Sequence, residues 1–182
     1  MRILAARTAG CTEIANFSAT ETLRDGGMIE IRAWRPGDRS GLMAAVGRIS
    51  DEALRRRFFT IKRHFSDKEV AHFTEVDFVK QIALVAIAHE RGEPAIVGGG
   101  RYFVVRPDTA EVAFALVDDY QGRGIGTALM RHLIAIARHE GLQTLVANLL
   151  PDNEPMFGVL RKCGLPLETR RDRDAVHVTL EL

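Results

Sequence analysis

The chain has 182 residues, 46% of them hydrophobic and 27% charged, and its 25 basic side chains nearly balance 24 acidic ones for a net charge of +1. That length supports one well-buried domain, and the balance excludes the broad basic field that nucleic acid or an anionic membrane would require. Cys11 and Cys163 are the only cysteines, which excludes a disulfide framework or a zinc pattern and reads as reduced thiols.

The longest apolar run, Ile82 to Ala88, is far short of a membrane span, and Met1 to Gly10 lacks a signal-type hydrophobic stretch. The expected location is the cytoplasm. Residues 1–27 read as an N-terminal arm with an extra hairpin strand, and residues 28–182 as the main domain. A strand from Phe17 to Leu23 turns at Asp25-Gly-Gly27 and returns as Met28 to Trp34, where Ile29, Ile31 and Ala33 alternate with polar Glu30 and Arg32. A helix from about residue 37 carries Leu42, Met43, Val46 and Ile49 at helical spacing. Ser50 caps a second helix, and Ser66 with Glu69 forms the capping box of a third. The interval Arg55 to His64, charged and aromatic, reads as a surface turn. Its basic cluster, Arg55, Arg56, Arg57, Lys62 and Arg63, reads first as a solvated face and second as a dock for phosphates or an acidic surface.

Strands are expected over Gln81 to His89, Ala95 to Val105 and Ala110 to Val117. A helix then runs to Glu140, stopped by Gly141, with Ile125, Leu129, Leu133 and Ile136 as its apolar stripe. A strand (Thr144 to Leu150), a helix (Asn153 to Cys163) and two strands around Arg170 to Asp174 complete the chain. The six histidines form no ligand set, so no metal is expected.

The most telling stretch joins the third of these strands to the long helix: Gln121-Gly-Arg-Gly-Ile-Gly126, followed by Thr127. Helix-initial amides lack intrahelical partners and sit at the positive end of the helix dipole, so a phosphate there satisfies both. Gly122, Gly124 and Gly126 let the backbone approach, and Arg123 adds a cation. The turn is no P-loop, because Gly126 is followed by Thr127 and Ala128 rather than by Lys. It is no dinucleotide fingerprint either, since Thr127 stands where the third glycine belongs.

What remains resembles the Q/R-x-x-G-x-G/A motif of the GNAT superfamily of acetyl-CoA-dependent N-acetyltransferases. The resemblance implies an α/β (α+β) GNAT fold, a mixed twisted sheet of about seven strands flanked by four or so helices. Leu54-Arg-Arg-Arg-Phe-Phe59, Phe73-Thr-Glu-Val-Asp-Phe78, Ala83-Leu-Val-Ala86, Ala110-Glu-Val-Ala-Phe114 and Asp152-Asn-Glu-Pro-Met156 together are similar to the acetyltransferase domain of the bacterial Pat protein lysine acetyltransferases. These 182 residues leave no room for the regulatory domain that several of those proteins carry.

From that resemblance Glu111 is the expected catalytic base. By strand alternation it shares a face with Ala113, Ala115 and Val117, and without the resemblance it would read as a solvated edge glutamate. The resemblance also implies that Phe114, Ala115 and Leu116 bind acetyl-CoA through backbone groups of a splayed strand, and that Gln121, Gly122, Arg123, Gly124, Ile125, Gly126 and Thr127 hold its pyrophosphate. Asn153 is expected to bond the pantetheine arm, to cap the next helix, or both, and Lys162 to reach a phosphate or complement the helix dipole. Asp118 and Asp119 read as carboxylates held by free helix amides rather than as bases. Leu160 replaces the tyrosine that serves many GNAT enzymes as general acid, so none is assigned. Cys163 reads as a buried helix-end thiol.

The co-substrate is then acetyl-CoA and the acceptor a protein lysine. A small amine acceptor, or a non-catalytic acyl-CoA-binding module, are the alternatives. A homodimer is left open.

Overall fold

The computed structural model describes residues 12–182; the first eleven residues of the N-terminal arm, Cys11 among them, lie outside the described residues. Among the described residues there are eight strands and, besides a short helix at residues 12–15, five α-helices, in the chain order read from the sequence; the sheet has one strand more than the seven or so that the resemblance implies. The strands are β1 (Ser18–Thr22), β2 (Met28–Ala33), β3 (Gln81–Glu90), β4 (Glu93–Arg106), β5 (Thr109–Leu116), β6 (Thr144–Leu149), β7 (Leu167–Arg171) and β8 (Val176–Glu181). The helices are α1 (Arg39–Gly47), α2 (Asp51–Phe58), α3 (Asp67–Thr74), α4 (Ile125–His139) and α5 (Glu154–Arg161). They build one sheet in the order β1-β2-β3-β4-β5-β6-β8-β7, antiparallel at every junction except the parallel β5–β6 pair.

Helices cover both faces, which explains why β3 is apolar almost without interruption. Ile82, Leu84 and Ala86 pack under α4 with Leu129 and Leu133, while Ala83, Val85 and Ile87 pack under α1 and α2 with Ala45, Ile49 and Leu54. Alternation along one strand thus feeds two cores. The helix α4 is buried well beyond its predicted stripe, since Ala128, Met130, Ile134 and Ala137 are also covered.

Local signals account for the helix starts. Ser50 Oγ accepts from Ala53 N (3.3 Å), and Ser66 and Glu69 form a reciprocal capping box. The segment Arg55–Phe58 belongs to α2 rather than to a turn, because the helix set by Ser50 runs on to Phe59, which ends it in a left-handed conformation. The β1–β2 hairpin is fastened to α4 by Glu21, which accepts from Arg131 Nη2 (2.6 Å) and pairs with His132 Nε2 (2.6 Å). Ile14 is buried in the same core. A bidentate Arg32–Asp38 pair locks the passage from β2 into α1.

Candidate active site

Two adjacent strands part company at one residue. The β5–β6 ladder pairs Thr109 with Thr144, Ala110 with Leu145 and Glu111 with Val146, and ends there. On its other side β5 stays paired with β4 as far as Leu116, opposite Gly98. From Val112 to Leu116 the edge of β5 facing β6 therefore carries backbone groups with no strand to bond them. A cleft of about 650 Å³ opens in the gap.

The glycine turn closes one end of the cleft. Gly122 (φ 73°) and Gly124 (φ 102°) take left-handed conformations that deliver the chain into α4 without a side-chain cap. The first intrahelical bond is donated by Ala128 to Gly124 O (3.0 Å), which leaves the preceding amides of Ile125, Gly126 and Thr127 free at the positive end of the dipole. Gly126 serves a second purpose: a Cβ there would stand 3.0 Å from Val159 Cγ2, so its missing side chain lets α4 pack on α5. Asn153 caps α5, its Oδ1 accepting from Met156 N (3.2 Å), and Lys162 ends that helix. Glu111, Phe114, Ala115, Leu116, Gln121, Gly122, Gly124, Ile125, Gly126, Thr127, Asn153 and Lys162 all line this one cleft.

Arg123 is the exception. Its Nε donates to Asp25 Oδ2 (2.6 Å) and its guanidinium lies 4.9 Å over the Tyr120 ring, so the hairpin turn draws it away from the cleft. Arg24, from that same turn, lines the cleft instead. Asp118 also finds an unexpected partner, accepting from Ser50 N (2.7 Å) and Ser50 Oγ (2.5 Å) and so tying the glycine turn to α2 rather than capping α4. Leu160 is fully buried, and burial pushes the Cys163 thiol up, which suits an inert sulfur.

Glu111 stands where the ladder ends, held from its neighbours. Asn148 Nδ2 on β6 donates to its Oε1 (3.1 Å), His177 Nδ1 on β8 meets Asn148 Oδ1 (2.6 Å), and His177 Nε2 meets Asp172 Oδ2 (2.7 Å). With its amide nitrogen committed to a carboxylate, Asn148 presents an oxygen to His177 Nδ1, while the Asp172 carboxylate faces Nε2, so both ring nitrogens meet acceptors. Hydrogen bonds from His177 and from the amides of Ala175 and Asp174 hold the Asp172 carboxyl down to about 2.

The basic cluster divides. Arg55 pairs with Glu52 and Asp152, Arg56 with Glu52, Lys62 with Glu69 and Arg63 with Asp51. Arg56 and Arg57 both line the cleft, Arg57 without an ion-pair partner among the described residues. Burial pushes the pKa of Arg57 down to about 10, opposed by the charge of Glu111; burial, then the charge of Arg57, does the same to Arg101 on β4.

The family model described as "Acetyltransferase (GNAT) family" matches residues 51–165, more than half of the chain. The chain belongs to the GNAT acetyltransferase family. Among relatives of this GNAT protein, Acetyltransferase PA5475 of Pseudomonas aeruginosa is 30% identical over 93% of the chain and 91% of its own length. Acetyltransferase Pat of Mycolicibacterium smegmatis is 31% identical over 78% of the chain, a match spanning 42% of that longer protein. The crystal structure of the GNAT domain of S. lividans PAT superposes with a TM-score of 0.82 at 32% identity, covering 91% of this chain and 97% of that one. The protein is thus an acetyltransferase of the GNAT fold.

Residues of this GNAT site that sequence reasoning passed over are Arg24, Asn148, His177 and the inward Arg57. Only Asn148 left a local trace, as a polar residue inside the apolar run Leu145 to Leu149. Among the described residues no group of three or more His, Cys, Asp or Glu side chains is arranged to hold a metal, and no helix is long and apolar enough to cross a membrane.

Proposed function

We propose that this protein transfers an acetyl group from acetyl-CoA directly to an amine, the side chain of a protein lysine. The observation that carries the reading is the position of Glu111 at the last paired residue of the β5–β6 ladder, where the free edge of β5 begins. A carboxylate there stands at the reacting end of a cofactor lying along β5. The glycine turn lies beyond Leu116, roughly 17 Å further on at about 3.3 Å per strand residue.

The residues present fit such a co-substrate. Ile125, Gly126 and Thr127 offer free amides to a pyrophosphate, with Arg24 and Lys162 as cations on the same cleft. The open edge of β5 offers backbone donors and acceptors to an extended amide-bearing arm. Acetyl-CoA supplies an activated thioester. The protein's own task is the proton: a lysine ammonium of pKa about 10.4 leaves only about one amine in a few thousand neutral at pH 7. Glu111 accepts that proton, held in place by Asn148; the free amine attacks the acyl carbon, the C–S bond breaks, and coenzyme A leaves as the thiol with the proton shed by the acetylated nitrogen. The acceptor assignment draws on the likeness to the Pat acetyltransferases, whose GNAT domain shares the fold at 32% identity.

The test follows thiol release from acetyl-CoA against protein substrates such as acyl-CoA synthetases and against small amines, for wild type and Glu111→Gln. Acetyl-CoA binding is measured in parallel by calorimetry. Protein turnover that falls about 10²- to 10⁴-fold in the variant, with cofactor affinity kept, is the expected result. Cofactor binding without turnover of any amine would overturn the reading, and turnover of small amines alone would reassign the acceptor.

A further inference from the structure

Beneath α1, α2 and α3, on the Glu111 face of the sheet, lies a second cavity of about 90 Å³ that shares Leu54, Arg57, Phe58 and Ala113 to Ala115 with the main cleft. Its walls are almost wholly apolar, with Trp34, Phe65, Phe73 and Ala83 among them, yet two guanidiniums line it, Arg57 from α2 and Arg101 from β4. Among the described residues Arg57 makes no hydrogen bond or ion pair and rests only on the Phe58 ring, 4.9 Å away. Arg101 Nη2 donates to Phe73 O (2.9 Å), but its Nη1 is buried with no partner. Two like charges face one apolar chamber with the carboxylate of Glu111 nearby, an arrangement that burial penalises unless an anion completes it.

We propose that Arg57 and Arg101 form a carboxylate subsite at the acceptor end of the cleft, so that the acceptor carries a carboxylate a few bonds from its reacting amine. The role rests on the transferase reading; the site rests on the chamber itself. The charge order, one carboxylate and then two guanidiniums, complements a molecule with an ammonium at one end and a carboxylate at the other. A guanidinium's planar fork matches a carboxylate, and each arginine here has donors to spare. The volume, about that of three waters, admits a carboxylate and a short methylene stem. A lone ammonium entering the same space would meet two like charges. The carboxylate can belong to a free amino acid or to an acidic side chain or C-terminus beside a protein lysine.

Binding of γ-aminobutyrate and of its amide is titrated by calorimetry into the CoA-loaded wild type, Arg57→Gln and Arg101→Gln, and turnover of both is followed with acetyl-CoA. Arg57→Gln removes no internal bond, so it stays informative even where Arg101→Gln fails to fold. The acid should bind at least tenfold more tightly than the amide in wild type, and the ratio should fall toward one in Arg57→Gln. Equal binding of acid and amide by wild type would overturn the subsite even if both are acetylated. Selective acid binding without turnover would support the subsite and count against the transferase reading. Lysine peptides with and without an adjacent glutamate separate the sources: preference for the acidic peptide over γ-aminobutyrate assigns the carboxylate to a protein, and the reverse to a free amino acid.

Discussion

Asp38 offers a direct measure of how firmly α1 is moored over the apolar chamber. Its Oδ1 accepts from Arg32 Nη2 (2.6 Å), and its Oδ2 accepts from Arg32 Nη1 (2.7 Å) and from Arg35 N (2.7 Å). Both partners are only 8% exposed. Asp38→Ala strips the counter-charge from a buried guanidinium, which costs about 3–5 kcal/mol. For a chain of this size each kcal/mol moves Tm by about 2–4 °C, so the expected fall at pH 7 is about 6–20 °C by calorimetry. Replacing both partners, Arg32→Met with Asp38→Leu, should lose less than the single change because no charge is left stranded. The pH dependence has a fixed sign. Burial pushes the Asp38 carboxyl up, but the hydrogen bonds from Arg32 and the Arg35 amide and the charge of Arg32 outweigh it and hold the group below its ordinary value. A folded-state pKa below the unfolded one, about 3.9, gives stability that is complete above that pH and fades as pH falls through the folded value. The Tm gap between wild type and Asp38→Ala should therefore be widest near neutrality and narrow as pH falls through the folded value. A fall of under about 2 °C at pH 7, or a gap that widens in acid, would refute the mooring argument.

Asn148→Ala removes the donor that orients Glu111 and should lower kcat roughly tenfold with little change in Tm, since the side chain is exposed; unchanged kcat would detach Asn148 from the chemistry. Gly98→Ala would place a Cβ 2.3 Å from Leu116 Cδ2 and 2.6 Å from Ala115 O, pressing on the end of β5 that faces the cofactor cleft. It should cost about 1–3 kcal/mol in urea unfolding and weaken acetyl-CoA binding. Gly47→Ala meets nothing within 4 Å at the end of α1 and should instead stabilise by about 0.5–1 kcal/mol. Asn153→Ala deletes the α5 cap and should cost about 1 kcal/mol in thermal unfolding. A larger loss of acetyl-CoA affinity than that destabilisation explains would add the pantetheine contact to its role.

Much of the site was legible because its parts are consecutive. Glu111, the strand through Leu116 and the turn from Gln121 to Thr127 sit in one continuous run of sequence, so alternation and glycine placement set their mutual positions before any packing is known. Asn153 was legible as a cap for the same reason. The resting place of the Arg123 side chain was not legible because it turns on Asp25, 98 residues earlier, nor was that of Arg57, because a charged residue in a basic run gives no hint of which way its helix faces the sheet.

The sequence by itself determined the element order, the helix starts at Ser50 and Ser66 and the anion-receptive turn before α4. These depend on contacts within a few residues and on the periods of helix and strand. Only the tertiary structure decided where β5 leaves β6, that Asn148 and His177 stand behind Glu111, that Arg24 replaces Arg123 at the cleft, and that Arg57 meets Arg101 in an apolar chamber. Each of those joins residues brought together by sheet register and helix docking, and such contacts leave no periodicity in the chain to read.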